Sequence, residues 1–276
     1  MEWTFKNNYH FVINPSTRKV FQLPYQPSNC TYLDLCYLFG FDESRNEHKI
    51  LNIRKHDATF DNPTSVEIMI FSMSSYSWRK IDAELPVGVE FDSVYHDMKG
   101  SVCVNSVIHF LPCGPYDILA FDLRTDKFSV INTPQGVVPH EPVTMYEDSA
   151  KENTPFIINI NGLIGVVCHD RVIESDDMHI WILQDYENRV WVREIITFPE
   201  PWVELDYLFP IDAVNTDEII FSSCKVFTND VMSVPIYNRK SRCFKSLELT
   251  LGHEFICSKT LRLNQIKCYV ESILPL

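Results

Sequence analysis

Apolar residues along the chain fall into short runs separated by polar turns, and one arrangement of the two recurs. An apolar strand ends, four to six polar residues follow, and a large apolar residue opens a second strand. Ile13-Asn14-Pro15-Ser16-Thr17-Arg18-Lys19-Val20, Phe71-Ser72-Met73-Ser74-Ser75-Tyr76-Ser77-Trp78 and Phe121-Asp122-Leu123-Arg124-Thr125-Asp126-Lys127-Phe128 each hold their apolar bookends seven residues apart, as does the segment Tyr237 to Phe244. A fifth copy, Trp181 to Trp191, is one residue longer between Leu183 and Trp191. Asn, Asp, Ser and Pro are turn formers, so the pattern predicts hairpins whose bookends pack on one face.

From Ile13 to Phe71, Phe121, Trp181 and Tyr237 the steps are 58, 50, 60 and 56 residues. That is close to the kelch-like spacing of roughly 50 residues at which each repeat makes one propeller blade. Further strands are predicted between the hairpins. Ser101 to Leu111 is one such region, Phe156 to Cys168 turns at Asn161-Gly162, and Tyr37 to Ile53 reads as strand, turn, strand; Asn-Gly is the strongest short hairpin signal, because both residues tolerate positive φ. The expected fold is all-β, a propeller-like repeat of antiparallel hairpins with about five or six blades, forming one domain over residues 1–276. Prolines 24, 86, 134, 139, 142, 199, 201 and 210 follow the hairpins and suit connections between blades. The polar stretch Val138 to Thr154 reads as a long exposed loop.

Composition agrees: 45% of residues are hydrophobic, 22% are charged, and aromatics reach 13%, with 18 Phe, 12 Tyr and 5 Trp. Rings of that kind fit a pleated surface. The formal net charge of −13 repels phosphate backbones and anionic lipid, so nucleic acid is not expected as a partner. Neither is a membrane, since no window approaches the roughly 18 consecutive apolar residues that a spanning helix needs. The segment Met1 to Lys6 lacks the features of a secretory leader, and nine scattered cysteines do not make a disulfide framework. Cys103, Cys168 and Cys257 stand in apolar strands as small hydrophobes. Cytosol or nucleus is the expected location.

Candidate chemistry is sparse. His56-Asp57, His96-Asp97 and His169-Asp170 could be acid–base pairs, but neighbours on a strand point to opposite faces, so turn or strand-end roles are expected. There is no Cys-x-x-Cys, no glycine-rich phosphate loop and no Gly-x-Ser-x-Gly, and no catalytic, metal or cofactor residue is assigned. The alternative, an enzyme using a propeller's central funnel, would have to rest on His169, Asp170 and Asp176. Trp78, Phe121, Phe128, Trp181 and Trp191 occupy fixed repeat positions and are expected in the core rather than at an interface. Binding residues are expected on loops that differ between blades.

Several segments taken in order resemble the plant F-box-associated domain. They are Asn14-Pro15-Ser16-Thr17-Arg18 with Leu23-Pro24, Phe39-Gly40-Phe41-Asp42 with Lys49-Ile50-Leu51, Ser77-Trp78-Arg79, Val104-Asn105-Ser106-Val107-Ile108-His109-Phe110, Ile118 to Leu123 with Lys127-Phe128, Asn161 to Val167, and Ile180-Trp181-Ile182-Leu183 with Trp191. The resemblance implies the recognition part of an F-box subunit of a cullin-type ubiquitin ligase, which holds a target protein while a separate helical F-box docks on a Skp-type adaptor. No F-box pattern is visible: Leu23-Pro24 and Leu85-Pro86 do not lead into helical spacing. Adaptor and cullin are therefore expected as partners only through an F-box outside or hidden in the chain. A truncated copy without function is the remaining alternative. Ser106 stands where the family usually has glycine, which predicts a less tight turn there.

Overall fold

The computed structural model describes residues 10–14, 17–24, 33–56, 65–87, 100–112, 117–134, 155–169, 177–200, 208–214, 217–222 and 231–250, together with 89, 137 and 205. All regular structure among them is antiparallel β. A two-stranded ribbon, sheet A, comes first, made of β1 (Phe11–Asn14) and β2 (Lys19–Gln22). Four four-stranded sheets follow in chain order. Sheet B holds β3 (Leu33–Asp42), β4 (Glu47–His56), β5 (Ser65–Ser72) and β6 (Ser77–Ile81), and sheet C holds β7 (Ser101–Val104), β8 (Val107–Phe110), β9 (Ile118–Asp122) and β10 (Lys127–Ile131). Sheet D is β11 (Phe156–Ile160), β12 (Leu163–His169), β13 (Asp177–Asp185) and β14 (Val190–Thr197); sheet E is β15 (Phe209–Val214), β16 (Glu218–Ser222), β17 (Val231–Asn238) and β18 (Cys243–Thr250). Each sheet is a plain meander, every strand pairing with the next in sequence.

The sheets stack in order because each is apolar on both faces. Side chains alternate across a strand, and in inner strands such as β9 and β16 both alternates are buried. In sheet B, Leu51, Ile53, Ile68 and Ile70 pack with Ile108, Phe110, Leu119 and Phe121 of sheet C, while Ile50 and Phe71 face the ribbon's Val12 and Phe21. In sheet C, Ile118 and Ala120 turn the other way, onto Ile164, Val166 and Leu183 of sheet D. From sheet D, Val167, Ile180 and Ile182 meet Ile219 and Phe221 of sheet E. The first strands are neighbours: β7 packs against β3 and β11, and β11 against β15. The fourth strands, β6, β10, β14 and β18, form the far edges of their sheets.

The bookends of the sequence repeat are cross-strand partners: Ile13 with Val20, Phe71 with Trp78, Phe121 with Phe128, Tyr237 with Phe244, and Leu183 with Trp191. The extra residue of the fifth copy is a β-bulge between Leu183 and Asp185, where two residues oppose one. Asn161-Gly162 makes the expected two-residue turn, with φ of 57° and 77°. Pro210 departs from the expectation that it lies in a connection, since it sits within β15. It is tolerated because the register shifts between Pro210 and Asp212, at an irregularity of the ladder where a missing N–H matters less. The loop expected over Val138 to Thr154 lies outside the described residues.

Gly40 marks the tightest contact between sheets B and C: a Cβ there would stand 2.8 Å from Ile108 Cγ1 and Leu123 Cδ1. Overpacking a filled core costs about 1–3 kcal/mol. Gly40→Ala is thus expected to lower unfolding free energy by about that much, and a urea titration beside the wild type checks it.

Candidate functional site

Six hairpin turns share one chemistry. A polar residue closes the first strand and its side chain accepts a backbone N–H two or three residues on: Asn14 from Thr17 at 3.1 Å, Asp42 from Ser44 at 3.0 Å, Ser72 from Ser75 at 3.3 Å, Asp122 from Arg124 at 2.8 Å, Asp185 from Asn188 at 2.9 Å and Asn238 from Ser241 at 2.9 Å. The last turn residue lies in the left-handed region, with φ between 52° and 57° at Arg18, Asn46, Tyr76, Asp126, Arg189 and Arg242. Short polar side chains that bond to their own backbone make such turns without further support. The Asp42 turn escapes a search for apolar bookends because Phe41 pairs with His48 there, a polar residue in the second position. The strand, turn, strand reading of Tyr37 to Ile53 places it nonetheless.

Polar links at this end join each sheet to the next. Lys49 is 2% exposed, yet its ammonium lies 2.6 Å from Asp42 Oδ2 and donates to the Leu123 carbonyl of sheet C at 2.9 Å. Glu47 stands 3.6 Å from the same ammonium and accepts from Ser72 at 2.6 Å and from Ser74. Burial pushes both the Asp42 and Glu47 carboxyls up, but for Asp42 the Lys49 and Ser44 bonds, and for Glu47 the Ser72, Ser74 and Lys49 interactions, outweigh it and hold each below the usual carboxylate range. Ser106 adds a second tie between sheets B and C, its Oγ accepting from Glu43 N at 2.9 Å while its carbonyl accepts from Leu123 N at 2.9 Å. The Asn105-Ser106 turn remains a two-residue turn, with φ of 51° and 63°, so replacing glycine does not loosen it. The hydroxyl's bond to the neighbouring sheet offsets the cost of a side chain at positive φ.

Between sheets C and D the link is His109, 1% exposed, with Nδ1 3.3 Å from the Val102 carbonyl and Nε2 3.1 Å from the Tyr186 hydroxyl. A carbonyl only accepts, so Nδ1 carries the proton and the Tyr186 hydroxyl donates to Nε2. Burial, aided by the nearby Arg189 charge, holds the imidazole down to about 4. Between sheets D and E, Arg239 Nε donates to Glu194 at 2.9 Å.

The residues singled out in the sequence divide as follows. Phe121 is in the core, and Trp78, Phe128, Trp181 and Trp191 are half-buried against it. His56 and His169 end strands β4 and β12. Their partners Asp57 and Asp170, with His96, Asp97 and Asp176, lie outside the described residues. Cys36, Cys103, Cys168 and Cys243 are free thiols, with Cys168 buried and Cys103 half-buried as expected, whereas Cys257 is outside the described set. Most of the longer connections, where binding loops are expected, are outside it too. No group of three His, Cys, Asp or Glu able to hold a metal occurs among the described residues, and no described helix is long and apolar enough to cross a membrane.

The sequence missed the outer edge of sheet D. Val190 and Val192 are 48% and 37% exposed on one face of β14, and Ile195 is 48% exposed on the other. Beside them Arg193 donates to His179 Nε2 at 2.8 Å and lies 5.7 Å from the Trp181 ring centre, while Arg189 lies 4.6 Å from that of Tyr186. No carboxylate is within ion-pair distance of either arginine among the described residues.

Residues 3–269 match the family model described as the F-box associated beta propeller domain. The chain belongs to that family. F-box-associated relatives agree along most of its length: F-box protein At1g47340 of Arabidopsis thaliana is 23% identical over 90% of this chain and 49% of its own, and F-box protein At2g15640 of the same plant is 22% identical over 95% and 62%. The chain spans about half the length of several curated relatives it matches. Among solved structures, that of YjhT overlays on 83% of this chain and 74% of its own with a TM-score of 0.48 and 10% identity. The turns and inter-sheet ties are thus how this F-box-associated propeller keeps its sheets in order.

Two outcomes follow for the cross-links. Asp42→Ala leaves the Lys49 ammonium buried beside a weakened partner set, and losing one member of a buried pair costs about 3–5 kcal/mol. Chemical denaturation is expected to show a loss of that order, and a comparable loss for Lys49→Met, which leaves the buried Asp42 and Glu47 carboxylates without their cation. For His109 the folded value lies below the unfolded 6.5. Its neutral form is therefore favoured by folding, and stability falls as pH drops from about 6.5 towards 4, by about 3 kcal/mol in all. His109→Gln is expected to flatten unfolding free energy measured by urea across that window, whatever its effect at pH 8.

Proposed function

We propose that the chain is a protein-recognition module, the target-binding part of an F-box subunit of a cullin-type ubiquitin ligase. The observation that carries this reading is the family match over residues 3–269, together with relatives named as F-box proteins of which the chain spans about half. The physical character of the fold supports it. Its turns satisfy their own backbone, and among the described residues the buried Lys49 ties sheet B to sheet C while the buried Arg54 bonds within sheet B. A stiff frame of this kind presents surface without paying a large ordering cost on association. The net charge of −13 favours a protein over a nucleic acid as the bound partner. Contact with a Skp-type adaptor and a cullin would come through an F-box joined to this domain.

The test is affinity purification of the tagged chain from plant cells, alone and with an F-box fused to it, followed by mass spectrometry. The fused form is expected to bring down adaptor, cullin and a set of further proteins, and the unfused form the same further proteins without adaptor or cullin. Absence of any shared, competable partner would contradict the reading.

A further inference from the structure

The four outer edge strands are not guarded alike. On β6 the exposed positions include Ser77, Arg79 and Lys80; on β10 they are Lys127 and Ser129; on β18 Lys245, Ser246 and Glu248 surround one exposed aliphatic residue, Leu247. Charge on an edge strand is the usual way to stop another chain from adding to it. β14 exposes more aliphatic surface, Val190, Val192 and Ile195 on its two faces beside Arg193 and Thr197, along an edge that no described strand pairs. A row of unpaired backbone N–H and C=O groups is satisfied by one kind of occupant, a second extended strand.

Charge says which strand. Arg189 and Arg193 are exposed and contact Tyr186, Trp181 and His179, and no described carboxylate lies within ion-pair distance of either, in a chain that is acidic overall. An acidic side chain on the incoming strand would complete them. A second copy fits worse. Antiparallel self-pairing centred on position 193 sets Arg193 against Arg193, and pairing centred on position 192 sets Val190 against the Glu194 carboxylate that Arg239 already holds.

We propose that the outer edge of β14 is a docking site for an extended segment of a target protein, aliphatic in character and carrying an acidic residue that meets Arg193. The segment adds to sheet D as a further antiparallel or parallel strand. This site rests on the recognition reading above and gives it a location.

The probe is a synthetic peptide of about eight residues in which valine alternates with threonine and one central glutamate, typical of a single strand. Its controls are a version with two prolines and a version with lysine for glutamate. Binding to the whole chain is followed by calorimetry for the wild type, for the double variant Val192→Lys, Ile195→Lys, and for Arg193→Glu, with thermal melts showing that each variant is folded. Saturable binding by the wild type is expected, weakened about tenfold or more by the lysine pair, by the prolines and by Arg193→Glu, with the lysine peptide regaining affinity for Arg193→Glu. The charge exchange keeps the test decisive even if the double variant folds poorly. No binding to the wild type, binding unchanged by these substitutions, or a concentration-dependent dimer abolished by them would overturn the proposal. Should the F-box fusion carrying the lysine pair still capture the wild-type set of proteins, the recognition reading stands and the β14 site is rejected.

Discussion

A sheet that is apolar on both faces cannot stand alone in water, and this constraint organises the molecule. Inner strands such as β9 carry aliphatic or aromatic side chains at consecutive positions, Ile118-Leu119-Ala120-Phe121, all buried. Burial on both sides requires a neighbour on both sides, so the sheets follow one another in chain order with their first strands adjacent. Leu119 and Phe121 belong to the layer shared with sheet B, Ile118 and Ala120 to the layer shared with sheet D. The apolar layers supply most of the driving force at roughly 25 cal/mol per Å² removed from water, but such contacts carry little directional information.

Direction comes from the polar ties. The Lys49 ammonium donates to a carbonyl of sheet C, the Ser106 hydroxyl accepts from Glu43 N of sheet B, His109 Nε2 accepts from the Tyr186 hydroxyl of sheet D, and Arg239 reaches back from sheet E to Glu194 of sheet D. Buried hydrogen bonds with specific geometry penalise sliding or rotation of one sheet on another, because any displacement leaves a buried donor or acceptor unmatched. Several of the groups in these ties have displaced pKa values. Asp42 and Glu47 share the Lys49 ammonium and are held low by their hydrogen bonds, whereas His109, at the junction of sheets C and D, is held low by burial. The proposed role of holding another chain rests on this frame and on the exposed aliphatic residues of the β14 edge.

Much of this is legible in the sequence. Bookend pairs seven residues apart identify the last hairpin of sheets B, C and E, and the one-residue excess of the copy at Leu183 to Trp191 corresponds to a bulge. Asn161-Gly162 announces its turn. The hairpin at Asp42 is less visible, because His48 breaks the apolar rule while the carboxylate that shapes the turn obeys another. Ser106 is misleading: residue type alone predicts a looser turn, whereas its stabilising partner, Glu43 N, lies 63 positions away in the chain. The same holds for Lys49 and His109, whose roles depend on partners 74 and 77 positions distant. The β14 edge has no sequence signature at all, since exposure of Val192 and Ile195 is a property of where the sheet ends.

Amide hydrogen exchange on the chain, free and bound to a target captured by its F-box fusion, tests the account where structure and function meet. Slowed exchange along residues 190–197 on binding, with the inner strands unchanged, is the predicted result. Protection that appears elsewhere while residues 190–197 exchange as before would contradict it.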